Sequence, residues 1–268
     1  MRLVLVPTPI GNLEDITLRA LRVLREAEVV ACEDTRRTGI LLKHYGIAKP
    51  MVRLDQHTVG QARRLLEGYE RVAYVTDAGT PGISDPGAEL VALALQEGWQ
   101  VEVLPGPTAL IPALVASGLP TARFAFEGFL PQKPAERRER LEQVSSGRTV
   151  VLYEAPHRLR QTLTDLIKVY GPNHPVAIAR EISKLHEEIW RGSLAQALEH
   201  FREPRGEFVL VLGPKTARAA EQKPQTEALL QQLREQGLKG KELVKALTEA
   251  GIPRNQAYQM AHPPKEEG

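Results

Sequence analysis

Residues 72–87 have the sequence VAYVTDAGTPGISDPG, an apolar run followed by a loop rich in glycine and proline. The run 72–76 predicts a buried strand, and residues 88–95 after the loop predict a helix. In an open α/β sheet, ligands bind outside the carboxyl ends of the strands. Glycine lets the backbone approach a ligand closely, and proline stiffens the loop. We therefore expect the loop Asp77–Gly87 to bind a ligand.

The same order of strand, loop and helix recurs through the first half of the chain. Alternating units of this kind are typical of a parallel sheet covered by helices. The first helix is predicted at Asp15–Glu28, with Asp15 as its N-cap. The other strands of this half are predicted at Leu3–Val6, Val29–Cys32, Met51–Leu54 and Gln100–Leu104, and further loops at Pro7–Asn12 and Pro105–Ala109.

Predicted strands outnumber predicted helices after residue 118, which favours a mixed sheet with hairpins. The last part of the chain contains three short helical patterns, which are typical of a helix-turn-helix-like bundle. The predicted fold class is therefore α/β, with a mostly parallel N-terminal sheet, a mixed second sheet and a small helical bundle. The predicted divisions are an N-terminal α/β domain at 1–118, a second α/β domain at 119–215, a helical domain at 216–262 and a tail at 263–268.

The composition is that of an ordinary globular protein, since 42% of the 268 residues are hydrophobic and 25% are charged. The formal net charge of +2 is too small to establish a nucleic-acid partner by itself. The single cysteine, Cys32, excludes a disulfide framework and favours a reducing compartment. No apolar segment approaches the ~20 residues of a membrane span, and the apolar run after Met1 is too short for a signal peptide. We expect a cytoplasmic protein without a membrane partner.

The three loops rich in glycine and proline do not have the composition of a phosphate site. A P-loop places a lysine directly after its last glycine, whereas the loops 7–12, 77–87 and 105–109 contain no lysine or arginine. The two aspartates of the second loop would repel a polyphosphate. A neutral or cationic ligand such as S-adenosylmethionine suits these loops better. Each loop alone could be a simple turn, but their recurrence at successive strand ends favours a binding site.

Metal binding and covalent catalysis are not predicted. The seven histidines are scattered, without a histidine or cysteine partner at ligand spacing. The sequence has no Gly-x-Ser-x-Gly motif, and the apolar run around Cys32 favours an inert core thiol.

Six motifs follow one another along the chain, namely Pro9–Thr17, Glu33–Arg36, Asp77–Gly87, Pro105–Ala109, Tyr153–Arg158 and Arg180–Glu188. In this order they resemble the motifs of the tetrapyrrole methylase superfamily. More narrowly, they are similar to its ribosomal branch, the small-subunit rRNA cytidine 2′-O-methyltransferases. The resemblance extends from the N-terminus to about Gly213, and Pro7 departs from it because the family more often has glycine there.

The resemblance implies two α/β domains with S-adenosylmethionine in the cleft between them, and a homodimer. It also implies methylation of the 2′-hydroxyl of a cytidine in the decoding region of 16S rRNA, within the small ribosomal subunit. The C-terminal helices resemble the small extra domain of that branch. By position within the motifs, the residues expected to contact the cofactor are Ile10, Gly79, Thr80, Gly82, Ile83, Thr108, Ala109, Tyr153 and Gly206.

Methyl transfer to a ribose hydroxyl requires alignment of the two reactants, and a base or a cation that helps the hydroxyl to lose its proton. Asp34, Asp85 and Lys184 are taken as the catalytic candidates, although no single base stands out. Glu154 and His186 are further candidates in the same motifs. Either aspartate could instead cap a helix or pair with an arginine, and the lysine could hold a phosphate.

RNA contacts are expected from arginines, because neutralising phosphates supplies much of the affinity for nucleic acid. The segment 123–160 carries eight basic residues against five acidic ones. A solvated helix face would explain the cluster at 137–140 equally well. The expected RNA-binding residues are Arg36, Arg37, Arg137, Arg138 and Arg158.

Two other functions remain compatible with the sequence. One is methylation of a tetrapyrrole-like small molecule with the same cofactor, although the C-terminal helices and the arginines favour RNA. The other is a non-catalytic RNA-binding protein in which the loops are only turns. Measuring the affinity for S-adenosylmethionine distinguishes the non-catalytic RNA-binding protein from the rRNA methyltransferase and the tetrapyrrole methylase.

Overall fold

The structure is a computed structural model of the chain. The residues that it describes are 1–54, 59–144, 147–215, 229–250, 252 and 254–261. The chain divides into two compact units, Met1–Pro214 and Lys215–Gly268. The first unit contains two five-stranded sheets, and the second contains the C-terminal helices.

The first sheet consists of β1 (Arg2–Leu5), β2 (Val29–Cys32), β3 (Met51–Arg53), β4 (Arg71–Val75) and β5 (Gln100–Val103). The spatial order is β3-β2-β4-β1-β5, and every pair of neighbours is parallel. Because all five strands run in one direction, their carboxyl ends lie at one edge of the sheet. The loops that were predicted to bind a ligand therefore converge there.

Both faces of this sheet are covered by the helices α1 (Leu18–Glu26), α2 (Thr35–His44), α3 (Val59–Gly68) and α4 (Gly87–Gln96). Successive side chains of a strand point to opposite faces. Accordingly, Leu3 and Leu5 of β1 pack in the core with α3 and α4, whereas Val4 and Val6 pack with α1 and α2. The prediction of a parallel, helix-covered sheet is confirmed.

Helix α1 begins later than predicted. The segment Leu13–Asp15 is a short 3-10 helix, and α1 starts after its N-cap, Thr17. The Thr17 hydroxyl accepts a hydrogen bond from the Ala20 N–H at 3.0 Å. The prediction of Asp15 as the cap is wrong, because its carboxylate accepts a hydrogen bond from Ser183, far away in the sequence.

The second sheet consists of β6 (Phe124–Phe129), β7 (Thr149–Glu154), β8 (Pro175–Arg180), β9 (Glu188–Ser193) and β10 (Phe208–Leu212). The spatial order is β6-β7-β10-β8-β9. Strand β6 is parallel to β7, and the other neighbours are antiparallel. The prediction of a mixed second sheet is confirmed.

Four further helices belong to this unit, α5 (Leu110–Ala116), α6 (Pro134–Val144), α7 (Pro156–Tyr170) and α8 (Leu194–His200). The last three cover one face of the second sheet, in a core that includes Leu141, Leu163 and Leu194. Helix α5 packs on the opposite face through Ala113 and Leu114. It therefore packs with the second sheet, although it precedes the predicted division at residue 118. The divisions at 118 and 215 stay predictions.

The C-terminal unit contains a small helical core. Leu243, Leu247 and Ala257 are buried together, with Leu229 and Leu233 partly buried against them. The helical segments that the structure describes in this unit are 229–235, α9 (Gly240–Glu249) and α10 (Arg254–Ala261).

Residues 216–228 and 262–268 lie outside the described part of the chain, and the second range includes the predicted tail. Among the helices that are described, none combines the length and the apolar character needed to cross a bilayer.

We expect Thr17→Ala to lower the free energy of unfolding by about 1 kcal/mol, because α1 loses its capping hydroxyl. Chemical denaturation followed by circular dichroism measures the change. Thr17→Ser is the matched control, since it keeps the hydroxyl and should keep the stability. Equal losses in the two variants would contradict the assignment of Thr17 as the cap.

Candidate functional site

The loops that follow β1, β4 and β5 are joined by hydrogen bonds at the carboxyl edge of the first sheet. The Thr8 N–H donates to the Gly79 carbonyl at 3.0 Å, and the Gly79 N–H donates to the Thr8 carbonyl at 2.9 Å. The Thr80 hydroxyl donates to the Pro107 carbonyl at 2.9 Å. Three loops that are far apart in sequence therefore form one continuous wall.

Gly106 in this wall explains how Pro7 is accommodated. A Cβ on residue 106 would lie 2.6 Å from the Cβ of Pro7, which is far too close. The Pro7 ring is buried in the space that the glycine leaves. The departure from the family pattern at Pro7 is thus matched by a glycine on the neighbouring loop.

A cavity of about 520 Å³ is lined by this wall and by residues of the second sheet. Small-molecule sites commonly measure ~300–1,000 Å³. Two of the nine predicted cofactor contacts, Gly82 and Gly206, are not among the residues that line this cavity. They shape the backbone nearby, each with a φ of +91°. The other seven line the cavity, namely Ile10, Gly79, Thr80, Ile83, Thr108, Ala109 and Tyr153.

The second sheet contributes an aromatic side to the cavity. The ring of Tyr153 lies 4.8 Å from that of Phe126 and 5.8 Å from that of Phe129, both in edge contacts. Burial raises the pKa of the Tyr153 hydroxyl, although its hydrogen bond with Thr108 partly opposes this. Tyr153 therefore presents an uncharged ring at neutral pH and connects the second sheet to the loop after β5.

The carboxylate of Asp85 organises the loop after β4. It accepts hydrogen bonds from the N–H groups of Gly82 at 2.8 Å, Ile83 at 3.1 Å and Gly87 at 2.7 Å. Between them, Ser84 has a φ of +68°, which is uncommon for a residue other than glycine. These contacts engage both carboxylate oxygens, so the geometry favours a structural role for Asp85 over proton transfer.

Asp34 is the N-cap of α2. Its carboxylate accepts hydrogen bonds from the N–H groups of Arg36 at 2.8 Å and Arg37 at 3.4 Å. The hydrogen bond from the Arg36 backbone lowers the pKa of Asp34, which makes its carboxylate a weak base. The geometry favours the capping alternative.

Lys184 forms ion pairs with two carboxylates. Its Nζ lies 2.9 Å from Glu181 Oε1 and 2.8 Å from Glu207 Oε2. Partial burial alone would lower the pKa of Lys184, but the hydrogen bonds to Glu207 and Glu181 outweigh it and raise the pKa. The amine is therefore protonated at neutral pH and cannot accept a proton. Its stem packs over Gly11, where an added Cβ would overlap the lysine Cγ.

Glu154 and Arg158 hold the start of α7. Glu154 is buried, and its carboxylate accepts a hydrogen bond from the Thr162 hydroxyl at 2.6 Å. Arg158 Nε lies 3.3 Å from Glu154 Oε1, and its Nη2 donates to the Leu130 carbonyl at 2.6 Å. Both side chains therefore have structural partners within the protein. His186, the remaining candidate, is exposed to solvent.

Arg137 is buried, unlike its neighbour Arg138. Its Nη2 and Nε donate to Asp165 Oδ2 at 2.6 Å and 2.9 Å, and its Nη1 donates to the carbonyls of Pro131 and Gln132. The guanidinium thus connects α6 to α7. These contacts favour a structural role, and the RNA contact of Arg137 stays a prediction.

The cavity also has an acidic side, which motif matching did not predict. Glu33 accepts hydrogen bonds from the Thr76 hydroxyl and from the Asp77 N–H, the latter at 3.4 Å. Arg37 Nη1 lies 3.3 Å from Asp77 Oδ2, and both side chains line the cavity. Asp77 Oδ1 is buried without a hydrogen-bond partner in the described part of the chain. Glu33 directly follows β2, so the rule that ligands bind at strand ends already pointed to it.

Residues 2–198 match the family model of the tetrapyrrole (corrin/porphyrin) methylases. The chain belongs to this family. Ribosomal RNA small subunit methyltransferase I of Synechocystis sp. is 44% identical to it, over 97% of this chain and 96% of that protein. The protein of the same name from Hydrogenobaculum sp. is 48% identical, over 79% of this chain and 95% of that protein. The family resemblance read from the six motifs is confirmed.

A solved structure shares the fold of this tetrapyrrole methylase. It is uroporphyrin-III C-methyl transferase from Thermus thermophilus, complexed with S-adenyl homocysteine. The two align with a TM-score of 0.58 and 26% identity, over 80% of this chain and 97% of that chain. The predicted fold class is confirmed.

We expect Asp85→Asn to weaken the binding of S-adenosylhomocysteine at least tenfold, because an amide cannot accept the three N–H groups that a carboxylate accepts. The free energy of unfolding should fall by about 1–3 kcal/mol. Calorimetric titration and chemical denaturation measure the two effects. Glu89→Gln, an exposed change on α4, is the control. Normal binding together with lost turnover would instead restore a catalytic role to Asp85.

We expect Arg137→Ala to lower the free energy of unfolding by about 3 kcal/mol, because the buried carboxylate of Asp165 loses its closest cation and keeps only Lys168 at 3.4 Å. Arg138→Ala on the same helix should change it by less than ~0.5 kcal/mol. Urea denaturation of both variants makes the comparison. Similar stabilities would show that the buried ion pair does not hold α6 on α7.

Proposed function

We propose that this tetrapyrrole methylase transfers a methyl group from S-adenosylmethionine to the 2′-hydroxyl of a cytidine in the decoding region of 16S rRNA. The main support is the similarity to ribosomal RNA small subunit methyltransferase I, at 44% identity over 97% of the chain. That coverage reaches into the C-terminal unit, which the family model does not match.

The cavity fits S-adenosylmethionine, which supplies a methyl group on a positively charged sulfur. The carboxylates of Glu33 and Asp77 lie in the cavity wall, and opposite charges attract more strongly in a partly buried site than in water. The buried Oδ1 of Asp77 is available to accept a hydrogen bond from a ligand donor. The seven predicted contacts that line the cavity would hold the cofactor, with the ring of Tyr153 on one side.

The loops would act mainly by positioning. Methyl transfer to oxygen is an in-line displacement, and holding the reactants in line while excluding water supplies much of the rate. The wall is tied by the hydrogen bonds of Thr8 to Gly79 and of Thr80 to Pro107. Asp85 fixes the loop after β4 from within. This arrangement does not need a ligand to assemble it.

Exposed arginines would guide RNA to the cavity. Arg37 lines the cavity, and Arg36 lines a smaller one that shares Glu33 with it. The proposed RNA contacts are Arg36, Arg37 and the exposed Arg138. Arg137 and Arg158 are not included, because their guanidinium groups bind carbonyls and carboxylates of the protein. The small ribosomal subunit as the natural substrate, and a homodimer as the active form, belong to this proposal on the family resemblance alone.

A tetrapyrrole is the second candidate substrate. The fold shared with uroporphyrin-III C-methyl transferase supports it, at 26% identity. The ribosomal relatives, at 44% and 48% identity, favour RNA. A non-catalytic RNA-binding protein would not account for a cavity with an acidic side.

The test uses small ribosomal subunits from a strain that lacks this protein. Purified protein and methyl-labelled S-adenosylmethionine should introduce one 2′-O-methylcytidine into 16S rRNA, located by mass mapping in the decoding region. Free 16S rRNA and uroporphyrinogen III are assayed in parallel. Label in the tetrapyrrole but not in the RNA would reject the proposal, as would persistence of every cytidine 2′-O-methyl mark in the deletion strain.

A further inference from the structure

Glu33 is one of the acidic residues that line the main cavity. It is the first residue after β2, at the strand edge where the loops converge. The Thr76 hydroxyl and the Asp77 N–H donate to its Oε1. Both contacts come from the strand end and loop after β4, so β4 holds the carboxylate in the cavity wall.

The other acidic residues have partners of their own. Asp34 caps α2, and Asp85 accepts three N–H groups of its own loop. Glu154 and Glu207 also line the cavity, but Arg158 lies 3.3 Å from the first carboxylate and Lys184 lies 2.8 Å from the second. Asp77 lines the cavity as well, but Arg37 lies 3.3 Å from its Oδ2 and compensates its charge. Of these carboxylates, Glu33 combines access to the cavity with no arginine or lysine within ion-pair distance in the described part of the chain.

Glu33 also lines a second cavity, of about 200 Å³, together with Arg36 and Arg53. Guanidinium groups are well suited to bind the phosphates of nucleic acids. In RNA, each 2′-hydroxyl lies next to the phosphate that leads to the following nucleotide. A carboxylate that borders both a cofactor-sized cavity and an arginine-lined cavity is therefore well placed to meet the ribose between them.

We propose that Glu33 is the catalytic residue that accepts the proton of the ribose 2′-hydroxyl. This inference rests on the function proposed above and identifies the base that the methyl transfer requires. The 2′-oxygen forms a bond to the methyl carbon while the carbon–sulfur bond breaks and leaves its electron pair on sulfur. The proton of the hydroxyl passes to an Oε atom of Glu33 and from there to solvent.

The surroundings of Glu33 suit a base. Burial raises the pKa of Glu33, and the carboxylates of Asp85 and Asp77 raise it further, although the hydrogen bonds from Thr76 and the Asp77 backbone oppose them. General bases work best with a pKa near the operating pH. The other ionisable groups around it are Cys32, Tyr74 and Arg37, and in the smaller cavity Asp34, Arg36 and Arg53.

Glu33→Gln tests the proposal, because it keeps the size of the side chain and removes the proton acceptor. We expect kcat/KM for methylation of small subunits to fall about 100-fold or more. S-adenosylhomocysteine lacks the positive charge on sulfur that Glu33 would attract. Its binding by calorimetry should therefore match the unchanged protein, as should the binding of small subunits by filter retention. Glu26→Gln is the matched control, since Glu26 is exposed on α1 and its change should leave all three measurements unaltered.

The pH profile separates a base from a merely structural carboxylate. In the unchanged protein, kcat/KM should rise with pH through the pKa of Glu33 and then level off. Glu33→Asp keeps a carboxylate and should retain this rise at lower activity. Glu33→Gln should lose the rise altogether.

Thermal stability supplies a readout independent of turnover. Because the folded protein raises the pKa of Glu33, the stability that its neutral form contributes is present below the ordinary value of 4.5 and is lost as the pH rises through the raised pKa. Glu33→Gln cannot ionise. Its melting temperature relative to the unchanged protein should therefore increase with pH across that window, whereas Glu26→Gln should show no such trend.

Three results would overturn the role of Glu33. One is a Glu33→Gln variant that retains most of its activity with an unchanged pH profile. Another is a loss of S-adenosylhomocysteine affinity that accounts for the whole loss of activity. The third is a rise of kcat/KM with pH that disappears in Asp77→Asn but persists in Glu33→Gln. If the unchanged protein methylates no RNA while binding S-adenosylhomocysteine, the proposed function fails, and this role fails with it.

Discussion

Two backbone hydrogen bonds between Thr8 and Gly79 connect the loops after β1 and β4, and the site depends on them. Strands β1 and β4 are parallel neighbours in the sheet, and beyond them the two loops meet in an isolated antiparallel bridge. Thr80 extends the connection to the loop after β5. A net gain of roughly 1 kcal/mol for each such bond is modest. Its larger effect is to hold three loops in one arrangement, so that a ligand does not have to order them.

Much of the fold and of the cavity could be predicted because the signals are local. The apolar strands are short and bounded by glycine and proline, and parallel strands bring their carboxyl ends to one edge whatever their exact order. For that reason the six predicted cofactor contacts that follow β1, β4 and β5 line one cavity, and the second sheet adds Tyr153. The strand order and the packing of α5 on the second sheet depend on contacts between distant segments, which the sequence pattern does not encode.

The sequence pattern was least informative for charged and polar residues, because it does not specify which partner such a side chain meets. Arg137 lies in a highly charged helix and looks solvated until Asp165, on α7, is placed against it. Asp15 and Thr17 are equally good caps by residue type, and the contact from Ser183 decides between them. Glu33 and Asp34 are adjacent in one motif, but the start of α2 turns Asp34 toward the helix backbone and leaves Glu33 in the cavity wall. Residue type alone could not separate these pairs.

The contact between Pro7 and Gly106 has a consequence for how this site can change during evolution. Any side chain at 106 would overlap the Pro7 ring, whereas a glycine at position 7 would remove the ring and open space for one. Because Gly106 belongs to a motif that the chain shares with its family, a glycine is expected there in related sequences whether position 7 holds proline or glycine. A side chain at 106 would be tolerated only after position 7 had lost its ring, so the order in which the two changes arise matters.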